Sequence, residues 1–172
     1  MIPNEEIEKI NRGLLTLNVI WAAMLISLFI YVLVGLYIKD TLRITMETNV
    51  IDILRNVLYA VSIITLITTR FIRKLILSGK GTSTLQSSYQ SDQPRALARY
   101  TSAMVVSLAM TESIGIYGLV LFFLGKNEVD LYLFILISAA TMLIYRPKRD
   151  EIISLTQELD KQGANDPLQR TR

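Results

Sequence analysis

Apolar residues are concentrated in four blocks of the chain, and polar residues separate the blocks. The blocks cover about residues 14–38, 50–77, 97–124 and 129–145. A helix needs about 20 predominantly apolar residues to cross the hydrocarbon core of a membrane, and the first three blocks exceed that length. The pattern predicts an all-α fold, an integral membrane four-helix bundle with short loops, formed by a single transmembrane domain over residues 1–149.

Residues 150–172 follow the last apolar block, and we predict a tail that is partly helical and then disordered. Ile152, Ile153 and Leu155 give the start of this tail a mildly amphipathic pattern. Such a face can lie on a membrane surface or against a partner. Because the same segment carries several carboxylates, we expect a frayed or solvated helix.

Basic residues are unevenly distributed between the ends of the predicted spans. One set of ends, together with the central loop, carries Arg70, Arg73, Lys74, Lys80, Arg95, Arg99, Arg146, Lys148 and Arg149. The other two connections are neutral or slightly acidic. The positive-inside rule therefore predicts that both termini and the central loop are cytoplasmic, in a bacterial-type inner membrane. Trp21, Tyr31 and Tyr37 in the first span are predicted to lie at the membrane interface.

Polar residues in the second span recur at spacings of three and four, which keeps them on one face of a helix. These residues are Arg55, Tyr59, Ser62, Thr65 and Thr69. We call them the polar stripe. Such a face points away from lipid, where its hydroxyls bind neighbouring helices or line a hydrated path. Both interpretations remain open from the sequence.

The third span carries small residues four positions apart, an arrangement that lets a neighbouring helix backbone approach closely. The predicted helix-packing positions are Ala103, Ser107, Gly115 and Gly118, with Thr111 continuing the same stripe. We therefore expect another helix to pack tightly against this face.

Glu112 is the only formally charged residue between Tyr100 and Leu124. It lies near the middle of a segment about 37 Å long, and so close to the midplane of the bilayer. An ionisable side chain at that depth is a functional-site hypothesis by default. The alternatives are a structural hydrogen bond, from a protonated Glu112 to a backbone carbonyl or to a hydroxyl of the second span, and an isolated lipid-facing residue.

The composition excludes several classes of function. The chain has no cysteine and no histidine, so disulfides, His- or Cys-ligated metals and histidine acid–base catalysis are absent. We find no nucleophile or phosphate-binding motif and predict neither an enzyme nor a cofactor. A net charge of +3 gives no reason to expect nucleic acid as a partner. The expected partners are the lipid bilayer, other membrane helices or a second copy of the chain.

The third span resembles the second helix of the proteolipid c-subunits of rotary ATPases. The residues that carry the resemblance are Gln93-Pro94, the run from Ala98 to Met110, and Glu112-Ser113-Ile114-Gly115-Ile116-Tyr117-Gly118-Leu119-Val120. The resemblance covers the hairpin of about residues 50–125 and is most specific over residues 93–124. The second span has no glycine, unlike the first helix of that family, and the outer two spans have no counterpart in a single hairpin.

The resemblance implies that Glu112 binds a proton or Na⁺. It also makes Thr111, Ser113 and Tyr117 candidate hydrogen-bonding neighbours of that carboxyl group. The corresponding function is binding or relay of H⁺ or Na⁺ within a larger complex. The alternative is a non-transporting accessory, assembly or scaffold protein that docks on other membrane helices through the small-residue stripe.

Overall fold

The computed structural model describes residues 4–41, 47–78 and 95–164, which form α-helices and no β-strand. The helices are α1 (Asn4–Ile38), α2 (Thr48–Leu77), α3 (Arg95–Gly125), α4 (Glu128–Ile144) and α5 (Arg149–Ala164). The predicted all-α class is therefore confirmed for this part of the chain. Lys80 and the predicted disordered end of the tail lie outside the described residues.

Three helices are long and apolar enough to cross a membrane: residues 8–38 of α1, the whole of α2, and residues 96–125 of α3. α4 and α5 together form a further candidate span, bent by 53° between the two helices. α4 alone has 17 residues, a length of about 25 Å, slightly less than the hydrocarbon core. The chain thus has the helices of a multi-pass membrane protein.

α3 is the central helix, since it packs against α1, α2, α4 and α5. Near its start, Leu97 lies against Gly13 of α1, and near its end Gly125 lies against Ile51 of α2. α1 therefore runs parallel to α3, whereas α2 runs antiparallel to it. We call the end where α1 and α3 begin the N-terminal end of the bundle.

The opposite end of the bundle holds the α1–α2 and α3–α4 connections. The α3–α4 turn is short: Lys126 adopts a left-handed conformation with φ of 53°, and the Asn127 side chain caps α4 by accepting from Val129 N–H at 3.0 Å. An ion pair joins Lys39, just after α1, to Glu128 at the start of α4. The hydrogen bond to Glu128 raises the pKa of the Lys39 ammonium.

Buried apolar side chains form two clusters, and α3 contributes to both. The larger cluster joins α1, α3, α4 and α5, with Leu17, Tyr100 and Met142 among its members. The smaller cluster centres on Ile114, Leu121 and Phe134, against which side chains of α2 pack. α1 and α2 are thus attached to separate faces of α3.

The small residues predicted for helix packing are buried within the chain. They are Ala103, Ser107, Gly115 and Gly118. Gly115 lies against Leu28 of α1, and Gly118 lies against Phe134 of α4. The stripe is therefore covered by other helices of this chain.

α5 packs against the bundle through its apolar residues, whereas its charges led us to expect a solvated helix. Ile152 is fully buried and Leu155 is 8% exposed, and both pack in the cluster that contains Ile10 of α1 and Leu97 of α3. The apolar face of α5 therefore covers the N-terminal end of the bundle. Asp150, Glu151 and Glu158, three of the carboxylates that suggested solvation, remain exposed.

Two of the aromatic residues assigned to the membrane interface point into the bundle instead. Trp21 donates its indole N–H to the Met142 carbonyl at 2.8 Å, and the Arg146 guanidinium lies 5.7 Å from its ring centroid. Tyr31 contacts α3, as described below, whereas Tyr37 is 88% exposed. An indole or phenol buried in a bundle finds a hydrogen-bond partner there.

We expect Gly118→Ala to lower the free energy of unfolding by about 1–3 kcal/mol. The new Cβ would lie 2.5 Å from Cβ of Phe134, an atom fixed by the backbone of α4. The matched change Gly115→Ala meets Cδ2 of Leu28 at 2.5 Å, the movable end of a side chain, and costs less. Thermal unfolding of both variants in detergent measures the difference, and equal losses would contradict this packing.

Candidate functional site

Glu112 lies in the middle of α3, and its carboxyl group contacts two hydroxyls of α1. Ser27 Oγ lies 2.5 Å and Tyr31 Oη 2.9 Å from the same oxygen, Oε1. Ser27 and Tyr31 are four residues apart, so they occupy one face of α1. All three side chains are half-buried. The carboxyl group thus meets two neutral hydrogen-bonding groups in the middle of a candidate membrane span.

Gly115 explains why α1 comes close enough for these contacts. It lies one turn after Glu112, and a Cβ at this position would lie 2.5 Å from Leu28 Cδ2. Leu28 is 2% exposed and directly follows Ser27 in α1. The absence of a side chain on Gly115 therefore lets α1 approach α3 beside the carboxyl group.

Ser27 Oγ also lies 2.7 Å from the carbonyl oxygen of Met24 in its own helix. A serine hydroxyl carries one hydrogen and can donate to only one acceptor at a time. If Ser27 donates to Met24, the 2.5 Å contact with Glu112 requires the hydrogen of a protonated carboxyl. If Glu112 is ionised, Ser27 must donate to the carboxylate. The geometry therefore fits both protonation states of Glu112.

The candidate neighbours implied by the resemblance make other contacts. Thr111 donates to the Ser107 carbonyl at 2.8 Å, and Ser113 donates to the Met110 carbonyl at 2.7 Å, both within α3. Tyr117 packs against the smaller apolar cluster. The described hydrogen-bond partners of Glu112 lie in α1. The structural alternative placed the hydroxyl partner in the second span instead. Ser27 and Tyr31 are four residues apart in the first span, and this spacing is the sequence signal that could have indicated the contact.

A second carboxylate, which sequence reasoning did not select, is buried at the opposite end of the bundle. Asp130 is 4% exposed and accepts from Arg55 Nε at 2.7 Å and from Tyr59 Oη at 3.0 Å. Arg55 also pairs with the more exposed Asp52 at 2.7 Å. The Tyr59 ring stacks on Phe134, with ring centroids 4.6 Å apart. The first two residues of the polar stripe thus join α2 to the start of α4.

The remaining residues of the polar stripe make local contacts. Thr65 donates to the Val61 carbonyl and Thr69 to the Thr65 carbonyl, at 2.8 and 2.7 Å. Ser62 is 3% exposed, and its hydroxyl has no hydrogen-bond partner within the described residues. Both threonine contacts lie within α2 itself, so they do not distinguish between the two interpretations of the stripe.

Within the described ranges, no group of three or more carboxylates is placed to hold a metal ion. Comparison of the chain with protein-family models, curated proteins and solved structures finds no match. The chemistry of the two carboxylate sites is therefore the basis for the function proposed below.

We expect Asp130→Asn to destabilise the protein by about 3 kcal/mol, because it leaves the Arg55 charge without its buried partner. Removal of one partner from a buried ion pair costs about 3–5 kcal/mol. We take the lower end of this range because the Arg55 side chain is 28% exposed and water can partly solvate its charge. The matched change Asp52→Asn removes a half-exposed partner of the same arginine and should cost about 0–1 kcal/mol. Thermal unfolding in detergent compares the two variants. Similar stabilities would contradict a structural role for the Asp130 site.

Proposed function

We propose that this protein is an inner-membrane protein in which Glu112 reversibly binds a proton and relays it within a larger complex. The observation that carries the proposal is the position of Ser27 Oγ, 2.5 Å from Glu112 Oε1 and 2.7 Å from the Met24 carbonyl oxygen. This hydroxyl can accept a hydrogen bond from the acid or donate one to the carboxylate.

The two protonation states differ in the direction of one hydrogen bond. In the protonated state Glu112 donates to Ser27, and Ser27 donates to the Met24 carbonyl. In the ionised state the Ser27 hydroxyl turns and donates to the carboxylate. Tyr31 donates to Oε1 in both states. Because hydrogen bonds stabilise a desolvated carboxylate, the proton can leave without stranding an unpartnered charge.

The same geometry favours H⁺ over Na⁺, the other ion that the resemblance implied. Glu112 and Ser27 are at direct hydrogen-bond distance, 2.5 Å, so no cation fits between their oxygens. Hard metal cations in proteins gather about six or more oxygen ligands. The described contacts of Glu112 supply two hydroxyl oxygens in addition to its own carboxyl group.

The proposed topology has four spans, with α4 as the fourth and both termini in the cytoplasm. Its support is the charge difference between the two ends of the bundle. Basic residues near the N-terminal end include Arg70, Arg73, Lys74, Arg99, Arg146, Lys148 and Arg149. At the opposite end, Lys39 and Arg55 are paired with Glu128 and Asp130. In this orientation Glu112 lies about midway between the two membrane surfaces.

The resemblance to rotary c-subunits supports proton exchange at Glu112. The site differs from a c-subunit hairpin in the helix that supplies the partners of the carboxyl group. Both described partners of Glu112 belong to α1, which has no counterpart in a single-hairpin c-subunit. A purely accessory role would need a docking surface other than the small-residue stripe, because α1 and α4 cover that stripe. We therefore favour a proton-binding subunit over a scaffold.

We expect Glu112→Gln to fold and to bind one proton fewer per chain than the unchanged protein, over a titration from about pH 4 to pH 10. Glutamine has the shape of glutamic acid and does not ionise, so only the exchangeable proton is lost. Potentiometric titration of both purified proteins in the same detergent measures the difference. Equal proton counts would mean that Glu112 does not exchange its proton in the folded protein.

Two serine variants serve as controls for the titration. Ser27→Ala removes the hydroxyl that changes direction, so it should change the pH at which Glu112 releases its proton. Ser113→Ala removes a neighbouring hydroxyl whose hydrogen bond among the described residues is to the Met110 carbonyl, and should leave that pH unchanged. Replacing Na⁺ by choline in the buffer should not alter the titration, whereas a Na⁺-dependent curve would contradict the choice of ion.

A further inference from the structure

A cavity of about 520 Å³ opens at the N-terminal end of the bundle, far from Glu112. It lies between the last turns of α2, the first turns of α3 and the face of α5 that carries Glu151 and Leu155. Its lining includes Arg73, Lys74, Tyr100, Asp150, Leu155 and Glu158. Tyr100 and Leu155 are buried, whereas Lys74, Asp150 and Glu158 are exposed. The cavity thus has a partly apolar floor and a charged rim.

Arg73 is the most constrained residue of this cavity. Its side chain is 13% exposed and donates from Nη2 to Glu151 at 2.7 Å. Its guanidinium carbon lies 5.7 Å from the Tyr100 ring centroid and 5.2 Å from that of Tyr145. The other terminal nitrogen, Nη1, is buried without a hydrogen-bond partner among the described residues. Arg73 lines the cavity, so its guanidinium is a fixed positive charge at the cavity floor.

The charges on the rim specify what kind of ligand fits. Glu151 neutralises Arg73, which leaves the Lys74 ammonium on one side and the Asp150 and Glu158 carboxylates on the other. These three groups make no ion pair within the described part of the chain. A ligand with anionic groups alone would satisfy Lys74 but would approach two carboxylates. A zwitterion with a phosphate and an ammonium complements both signs.

The position of the cavity fits the headgroup layer of a membrane. Arg73 and Tyr100 lie one to two turns from the ends of α2 and α3 at the N-terminal end of the bundle. Basic pockets between transmembrane helices on the cytoplasmic side bind lipid headgroups, and this cavity adds carboxylates to such a pocket. Leu77, also in the lining, adds apolar surface next to the charged groups.

We infer that this cavity binds the headgroup of an aminophospholipid, phosphatidylethanolamine. Its phosphate would lie beside the Arg73 guanidinium and accept from Lys74, and its ammonium would donate to Asp150 and Glu158. The inference depends on the membrane location of the bundle and is independent of proton exchange at Glu112. Loss of lipid binding and loss of the titrating proton are therefore separate outcomes.

Native mass spectrometry of the full-length protein in detergent tests the inference with short-chain phosphatidylethanolamine and phosphatidylglycerol at equal concentration. We expect one phosphatidylethanolamine per chain, bound about fivefold more tightly than phosphatidylglycerol, a difference on the scale of an exposed ion pair. Soluble phosphoethanolamine distinguishes a lipid from a free phosphate compound. Equal binding of the two lipids, or tighter binding of the soluble compound, would overturn the inference.

The variants change exposed residues of the cavity rim, so we expect them to fold normally. Lys74→Gln should weaken phosphatidylethanolamine binding about fivefold. The double variant Asp150→Asn with Glu158→Gln should abolish the preference over phosphatidylglycerol. Arg70→Gln changes an exposed arginine one turn from Lys74 that does not line the cavity, and should leave binding unchanged. A loss of binding in Arg70→Gln equal to that in Lys74→Gln would indicate nonspecific attraction to the basic end of α2.

Discussion

A carboxyl group in the middle of an apolar helix must have hydrogen-bond partners, and the arrangement of the first span follows from this requirement. α1 supplies Ser27 and Tyr31 to the same oxygen of Glu112. The approach of α1 depends in turn on Gly115, which leaves space for Leu28. One polar contact and one small residue therefore contribute to how α1 packs on the central helix, together with apolar contacts such as those of Gly13 and Leu17.

Glu112 and Asp130 differ in how their charge is balanced. Asp130 is bound by the guanidinium of Arg55 and by Tyr59, so its negative charge is neutralised by an ion pair. Glu112 is bound by two neutral hydroxyls and makes no ion pair within the described residues. A carboxylate with a fixed cationic partner is suited to a structural role. A carboxyl group with neutral partners can gain or lose a proton, which is why we place exchange at Glu112.

The sequence predicted the helices and the central residue of the site, because both depend on local patterns. Apolar blocks longer than a membrane span predicted α1, α2 and α3, and an isolated charge in one of them identified Glu112. The partners of Glu112 were not predicted, because contacts between distant helices depend on how the bundle is assembled. Nothing in the sequence distinguishes Ser27 from other small polar residues of the apolar blocks. Asp130 lies next to the predicted turn between the third and fourth spans and was not singled out. The burial of α5 was missed for a similar reason: its carboxylates suggested solvation, although its apolar face was visible in the sequence.

Proton exchange at Glu112 is the central claim, and infrared difference spectroscopy of the protein in lipid vesicles tests it most directly. Carbon-13 labelling of the glutamate side chains and comparison with Glu112→Gln assign the signal to this residue. Raising the pH should convert a protonated-carboxyl band of Glu112 into carboxylate bands, with a simultaneous change at labelled Ser27 as its hydroxyl changes direction. A Glu112 band that stays in one form at every pH at which the protein is folded would contradict the claim and leave Glu112 a structural residue.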